Sequence, residues 1–127
     1  MELHQEMGEV RAGRFDVVMD RGATFTRDLK WTIAGKPVNL KGYAGVLRVK
    51  PDYDSEQVLF DLTSENGEIS FDADGGIHWQ APASETRACP AGLYVYDFFV
   101  STEKEVIKLL EGTWRCKPSV IEGSNDE

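Results

Sequence analysis

Leu93-Tyr94-Val95-Tyr96-Asp97-Phe98-Phe99-Val100 is the most strand-like run in the chain. Aromatic and β-branched side chains dominate it, and Asp97 is its only charge. A run that is apolar on almost both faces suits a strand in the middle of a packed sheet rather than at its edge. Downstream, Thr102-Glu103-Lys104-Glu105 reads as a turn that sends Val106–Leu110 back along the same strand. That register pairs Val100 with Ile107 and Phe98 with Leu109. Gly112 then marks a bulge or bend before Thr113–Lys117.

The start of the run carries a second signal. In Gly92-Leu93-Tyr94-Val95-Tyr96, a tyrosine stands two residues before an inward position, as at the start of the F strand in immunoglobulin-type sandwiches. Tyr96 occupies the place where many such domains have cysteine.

Upstream, the dipeptide Asn66-Gly67 suits a type I′ turn, whose two central residues both need positive φ. A hairpin there pairs Leu62 with Phe71 and Asp61 with Asp72. Val58, Phe60, Leu62, Ile69, Phe71 and Ala73 then share the core face. A three-residue loop at Asp74-Gly75-Gly76 adds a third strand, with Trp79 beside Phe71 and His78 beside Asp72.

Still earlier, Phe15-Val17-Met19 and Phe25-Arg27-Leu29-Trp31 alternate, Ala34-Gly35-Lys36-Pro37 reads as a turn, and Val38–Leu40 and Tyr43–Lys50 follow. Only Ser84–Ala88, between Pro82 and Pro90, offers a helical turn. Turns spaced about ten residues apart predict an all-β fold. The expected architecture is an immunoglobulin-like antiparallel β-sandwich of seven to nine strands.

The length of 127 residues accommodates one such domain, expected at 13–121, between a flexible N-terminal arm (1–12) and an acidic tail (122–127). No 18-residue uncharged apolar run and no basic-then-apolar leader is present, which reads as a soluble, non-exported chain. A net charge of −8 argues against nucleic acid or an anionic membrane as partner. The charge is uneven: residues 11–50 hold nine basic and three acidic side chains, whereas 51–80 hold eight acidic and no Lys or Arg. Either the blocks fold to opposite ends and make the domain dipolar, or they interleave and neutralise each other.

Little in the sequence points to chemistry. Cys89 and Cys116 are expected to be free thiols of a reducing cytoplasm. Neither has a histidine close in sequence, and the only histidines are His4 and His78. Gly-rich phosphate loops and the G-x-S-x-G elbow are absent, so neither an enzymatic activity nor a cofactor is expected. The one strained arrangement is the meander: Asp61 opposite Asp72 is destabilising unless something relieves it. A divalent cation held by Asp61, Asp72 and His78 would do so, as would protonated His78 or a basic side chain from residues 11–50. The interface candidates are Met1, Leu3, Met7 and Val10 of the arm, together with Tyr53 and Trp79, the aromatics that a carbohydrate-binding groove would also need.

Several phrases, taken in order, resemble small structural proteins of tailed bacteriophages, similar to the N-terminal domain of the baseplate upper protein family. They are Arg21-Gly22-Ala23-Thr24-Phe25 leading to Trp31, Gly35-Lys36-Pro37-Val38-Asn39-Leu40-Lys41-Gly42-Tyr43, Gly92-Leu93-Tyr94-Val95-Tyr96-Asp97 and Leu110-Glu111-Gly112-Thr113. The resemblance implies a β-sandwich virion component without an active site, assembled in the bacterial host cytoplasm. Its partners would be other tail, baseplate, fibre or capsid proteins, with several copies of the chain in a symmetric particle. A tail or baseplate adaptor is the leading expectation, and a capsid decoration protein is the alternative.

Overall fold

The computed structural model describes residues 2–5 and 12–123. Met1, Met7, Val10 and residues 124–127 lie outside them. The described residues form eleven strands: β1 (Glu2–Gln5), β2 (Gly13–Arg14), β3 (Val17–Asp20), β4 (Phe25–Ile33), β5 (Lys36–Pro37), β6 (Ala44–Lys50), β7 (Phe60–Thr63), β8 (Ile69–Phe71), β9 (Gly76–Ala81), β10 (Gly92–Ser101) and β11 (Val106–Lys117). Two short helices, α1 (Ala83–Ala88) and α2 (Val120–Gly123), complete the described chain. The helical turn expected at Ser84–Ala88 is α1, and the count exceeds nine partly because β2 and β5 are two-residue strands.

The strands form two sheets. Sheet A has the order β1-β4-β9-β8, with β5 on β4; sheet B runs β2-β11-β10-β6-β7, with β3 also on β11. Two layered sheets of this kind make the expected β-sandwich. It is not wholly antiparallel: β1 runs parallel to β4, and β2 and β3 run parallel to β11. The N-terminal chain therefore contributes to both sheets. Residues 2–5, expected within a loose arm, lie along β4 with Leu3 opposite Trp31 and only 6% exposed.

β10 is central, flanked by β6 and β11. Its inward residues Tyr96, Phe98 and Val100 are buried. Tyr94 Oη donates to Pro90 O at 2.6 Å, four residues back, which is the corner tyrosine anticipated from the sequence. Tyr96 Oη donates to Phe15 O at 2.5 Å, which ties the segment between β2 and β3 to the central strand. Val100 pairs with Ile107 as expected, but Phe98 faces Leu110, because the ladder bulges between Phe98 and Phe99. The extra residue lets both Leu109 and Leu110 reach the core. Gly112 is not the bulge. It stays in register opposite Tyr96, and a Cβ there would lie 2.5 Å from Phe15 O, so glycine is needed for the close passage of that segment.

The expected three-stranded meander is not formed. β7 pairs with β6 in sheet B, whereas β8 pairs with β9 in sheet A. Asn66-Gly67 is thus a corner between sheets. Gly67 has φ +86°, but Asn66 is not left-handed, since Ala34 is the only non-glycine described residue with positive φ. In β8–β9, Phe71 faces Ile77 and Ser70 faces His78, two residues from the expected register. The loop is Ala73-Asp74-Gly75, because the Asp72 carboxylate accepts the N–H groups of Asp74 and Gly76, both at 2.8 Å, and closes the turn one residue early. Val58 and Ala73 consequently lie exposed, outside the core face assigned to them.

Between the sheets lies an aromatic core. Trp114 packs against Phe25, Phe60 and Tyr96 at ring separations of 5.2, 5.4 and 5.3 Å, and Trp79 against Phe98 at 5.1 Å. Edge-on and tilted pairs of this kind add to area burial.

The charge blocks interleave. β4, from the basic block, lies beside β9 of the acidic block, and β6 lies beside β7 in the same way, so the dipolar arrangement does not form.

Candidate functional site

Asp61 lies in sheet B, opposite Arg48, whose Nε and Nη2 donate to its two carboxylate oxygens at 2.9 and 3.0 Å. A basic residue from the 11–50 block thus relieves its charge, as a two-point fork. The proposed trio Asp61, Asp72 and His78 is not brought together.

Asp72 and His78 do meet, with Asp28 as the third member. His78 lies opposite Asp28 in the β4–β9 ladder; its Nδ1 is 2.7 Å from Asp28 Oδ1 and its Nε2 is 3.3 Å from Asp72 Oδ2. The Asp28 carboxylate, then that of Asp72, raises the imidazole pKa against the opposing effect of burial. The N–H groups of Gly76 and Asp74 lower that of Asp72, with His78 adding to the shift. A ring with one carboxylate at each nitrogen separates the two acids rather than letting them converge on one point. Among the described residues no group of three His, Cys, Asp or Glu is placed to hold a metal ion.

Leu3 is a core residue, and so is Trp79, which is 1% exposed. The register places Trp79 on the inward face of β9 opposite Ile69, so neither a partner nor a sugar ring reaches it. Tyr53 remains at the surface, 55% exposed, beside a hollow of about 410 Å³ on the outer face of sheet B. Val46, Arg48, Lys50, Val95, Asp97 and Phe99 line the rest of that hollow.

Cys89 and Cys116 are free and buried. Cys116 Sγ donates to Cys89 O at 3.3 Å, and the neighbouring Cys116 thiol together with burial pushes the Cys89 thiol up, away from the reactive thiolate form.

One buried acid escaped sequence reasoning. Glu68 accepts from Asn66 Nδ2 at 2.8 Å and is only 9% exposed. Burial, then the Glu85 side chain on α1, pushes its pKa up to about 7. No local signal marked it: next to inward Ile69, position 68 reads as outward, and only the approach of Glu85 on α1 to the corner encloses it.

Sequence reasoning also missed a row of charges crossing sheet B. Asp61 faces Arg48, Arg48 faces Asp97, Asp97 faces Glu111 and Glu111 faces Arg14. Lys108 Nζ bridges Asp97 and Glu111 at 3.2 and 2.6 Å. Only the strand order aligns these residues, which are scattered from position 14 to 111.

These features define a two-layer β-sandwich with an aromatic core, a charged outer face on one sheet, and no described group arranged as a nucleophile with its base. Among the described residues no helix is long and apolar enough to cross a membrane. The same fold occurs in the N-terminal domain of phage TP901-1 ORF48, matched with a TM-score of 0.50 at 12% identity over 91% of this chain and 96% of that one. The likeness spans nearly the whole of both chains and is one of fold. The phrases in the sequence had pointed in the same direction, to a sandwich domain of a phage structural protein. No protein-family model and no curated protein matches the sequence.

Proposed function

We propose that this chain is a non-enzymatic structural component of a tailed-phage particle, an adaptor in the tail or baseplate that docks larger parts. The observation that carries the reading is the end-to-end fold likeness to a domain of a phage protein, 91% of one chain on 96% of the other. A likeness at 12% identity speaks for the fold. The role rests on that domain's origin together with the ordered phrases from Arg21 to Thr113. The chemistry of the domain supports it: both thiols are buried, that of Cys89 pushed up away from the thiolate form, and His78 is tied between two carboxylates. A carbohydrate-binding module loses one of its two candidate aromatics with Trp79 in the core.

The test is the protein composition of purified particles. Presence at a copy number matching the tail parts is the expected result. Copies in the hundreds would assign the chain to capsid decoration instead, and absence from particles would end both readings.

A further inference from the structure

β10 presents apolar side chains on both faces, and only one is covered by the described chain. Inward, Tyr96, Phe98 and Val100 are 1, 0 and 0% exposed; outward, Leu93 and Phe99 are 64 and 39% exposed. Val46 on β6 and Tyr53 above it extend this outer surface, with Val95 in the floor of the hollow between them. Adjoining apolar side chains on one open sheet face mark an interaction surface more often than single exposed ones do.

The charge row described above crosses the same face. Read from one sheet edge to the other, with Lys108 between the acids it bridges, it runs Asp61, Arg48, Asp97, Lys108, Glu111, Arg14. The signs alternate throughout. Each charge has an opposite neighbour; Arg14 also reaches Asp16 at 3.1 Å. Covering the row therefore strands none of its charges, the usual penalty for burying ions.

On the five strands the row carries opposite signs at equal distances from central β10: Asp61 and Arg14 at the edges, Arg48 and Glu111 next to it. A second copy, turned by half a rotation about an axis parallel to the strands, lays the row against its own reverse. With the axis along β10, Asp61 then meets Arg14 and Arg48 meets Glu111, while each copy's Lys108 stays beside the Asp97 carboxylates at the axis. A twofold contact is isologous, so one self-complementary patch suffices for both partners.

We propose that the outer face of sheet B is a twofold interface between two copies of this chain. Val46, Val95, Phe99 and Tyr53 supply its apolar contact, and the six-charge row sets its register. The pairing goes beyond the proposed role in a particle and does not depend on it, since it is read on the purified chain.

The experiment is sedimentation of the purified full chain over a range of concentrations, with thermal unfolding recorded in parallel. The native chain should form a concentration-dependent dimer. Val46→Ser together with Phe99→Ser should weaken that dimer about tenfold or more while the fold persists, because both side chains point outward. Arg48→Glu and Glu111→Arg should each be monomeric alone, since each sets like charges face to face. Mixed in equal amounts, the two variants should form a heterodimer in which both contacts are complementary again. Should either charge variant fail to fold, the Val46 and Phe99 pair still decides the matter. A native chain that stays monomeric at its solubility limit overturns the proposal, as does a dimer indifferent to the serine pair or a mixture of folded charge variants that stays monomeric.

Discussion

Asn66-Gly67 and Ala34-Gly35 both end in a left-handed glycine, yet only the second closes a hairpin. At Ala34-Gly35, φ is +51° and +79°, Ile33 faces Lys36, and β4 turns directly into β5. This is the pair of positive φ values that a type I′ turn requires, achieved with alanine at the first position. At Asn66-Gly67, where the dipeptide advertises that turn, the asparagine side chain is engaged otherwise. Its Oδ1 accepts Glu68 N at 3.0 Å, its Nδ2 donates to Glu68, and its own N–H donates to Thr63 Oγ1 at 3.2 Å. The two arms leave for different sheets. Ser64 exchanges two hydrogen bonds with Gly45 N–H and C=O, both at 3.0 Å, and Gln80 N donates to Glu68 O at 2.9 Å.

The difference teaches that a turn dipeptide specifies a local reversal, while the partners of the two flanking strands are chosen by what else they can reach. For β7 the alternative to Arg48 was Asp72. An opposite charge across the ladder is favourable and a like charge is not.

Four sets of measurements break or sharpen this comparison. The largest effect is expected at Gly45, where the corner brings Phe71 across from the other sheet. A Cβ there would sit 2.9 Å from Phe71 Cζ and 3.2 Å from Phe98 Cε1. Gly45→Val should destabilise the fold by about 2–3 kcal/mol in chemical denaturation. A near-neutral result would mean that β8 does not cross there.

Next, Gly67→Ala should cost about 1–2 kcal/mol, because a left-handed residue penalises Cβ. Ala34→Gly, at a position already left-handed, should instead gain a few tenths of a kcal/mol, the relief of that strain offset in part by unfolded-chain entropy. Opposite signs at the two turns are the expected signature; equal signs would contradict the φ assignment of one of them.

Glu68 tests the corner through pH. Its folded pKa of about 7 lies above the ordinary 4.5, so between those values the folded chain keeps a proton that the unfolded chain releases. Stability should therefore fall as pH rises from 4.5 to 7, and the cost is fully present above 7. Glu68→Gln keeps the amide partner and removes the charge. It should match the native chain at pH 4 and exceed it by about 1 kcal/mol at pH 8, a figure reduced for partial solvation. A stability difference that does not change with pH would remove the buried carboxyl from the account.

The smallest effect is the Arg48–Asp61 coupling. A double-mutant cycle with alanine should yield about 0.5 kcal/mol for this partly exposed fork. The same cycle on Asp61 and Asp72 should yield a value near zero, whereas a hairpin would have given repulsion.

The legible part of the fold is what local chemistry controls. Tyr94 could be assigned its role because a corner tyrosine bonds to backbone four residues away, within the same segment. The alternation of Phe25, Leu29 and Trp31 predicted their burial for the same reason. Trp79 was misjudged although its expected place beside Phe71 already put it on the core face, and the two-residue shift made by the Asp72 cap leaves that face unchanged. Leu3 was misjudged because a short strand without internal periodicity is recognisable only once β4 stands beside it. The charge row was illegible altogether, since its six members come from five strands that sequence cannot order.

From sequence alone came the class of fold, the central strand, the corner tyrosine, the helical turn and the absence of a motif for catalysis. These follow from side-chain pattern and backbone preference over a few residues. Tertiary structure alone decided which sheet received β7 and β8, that Asp28 rather than Asp61 shares His78 with Asp72, and which charges align across the outer face. Those are contacts between distant segments, where several local solutions are almost equal in energy and packing against the rest of the molecule selects one.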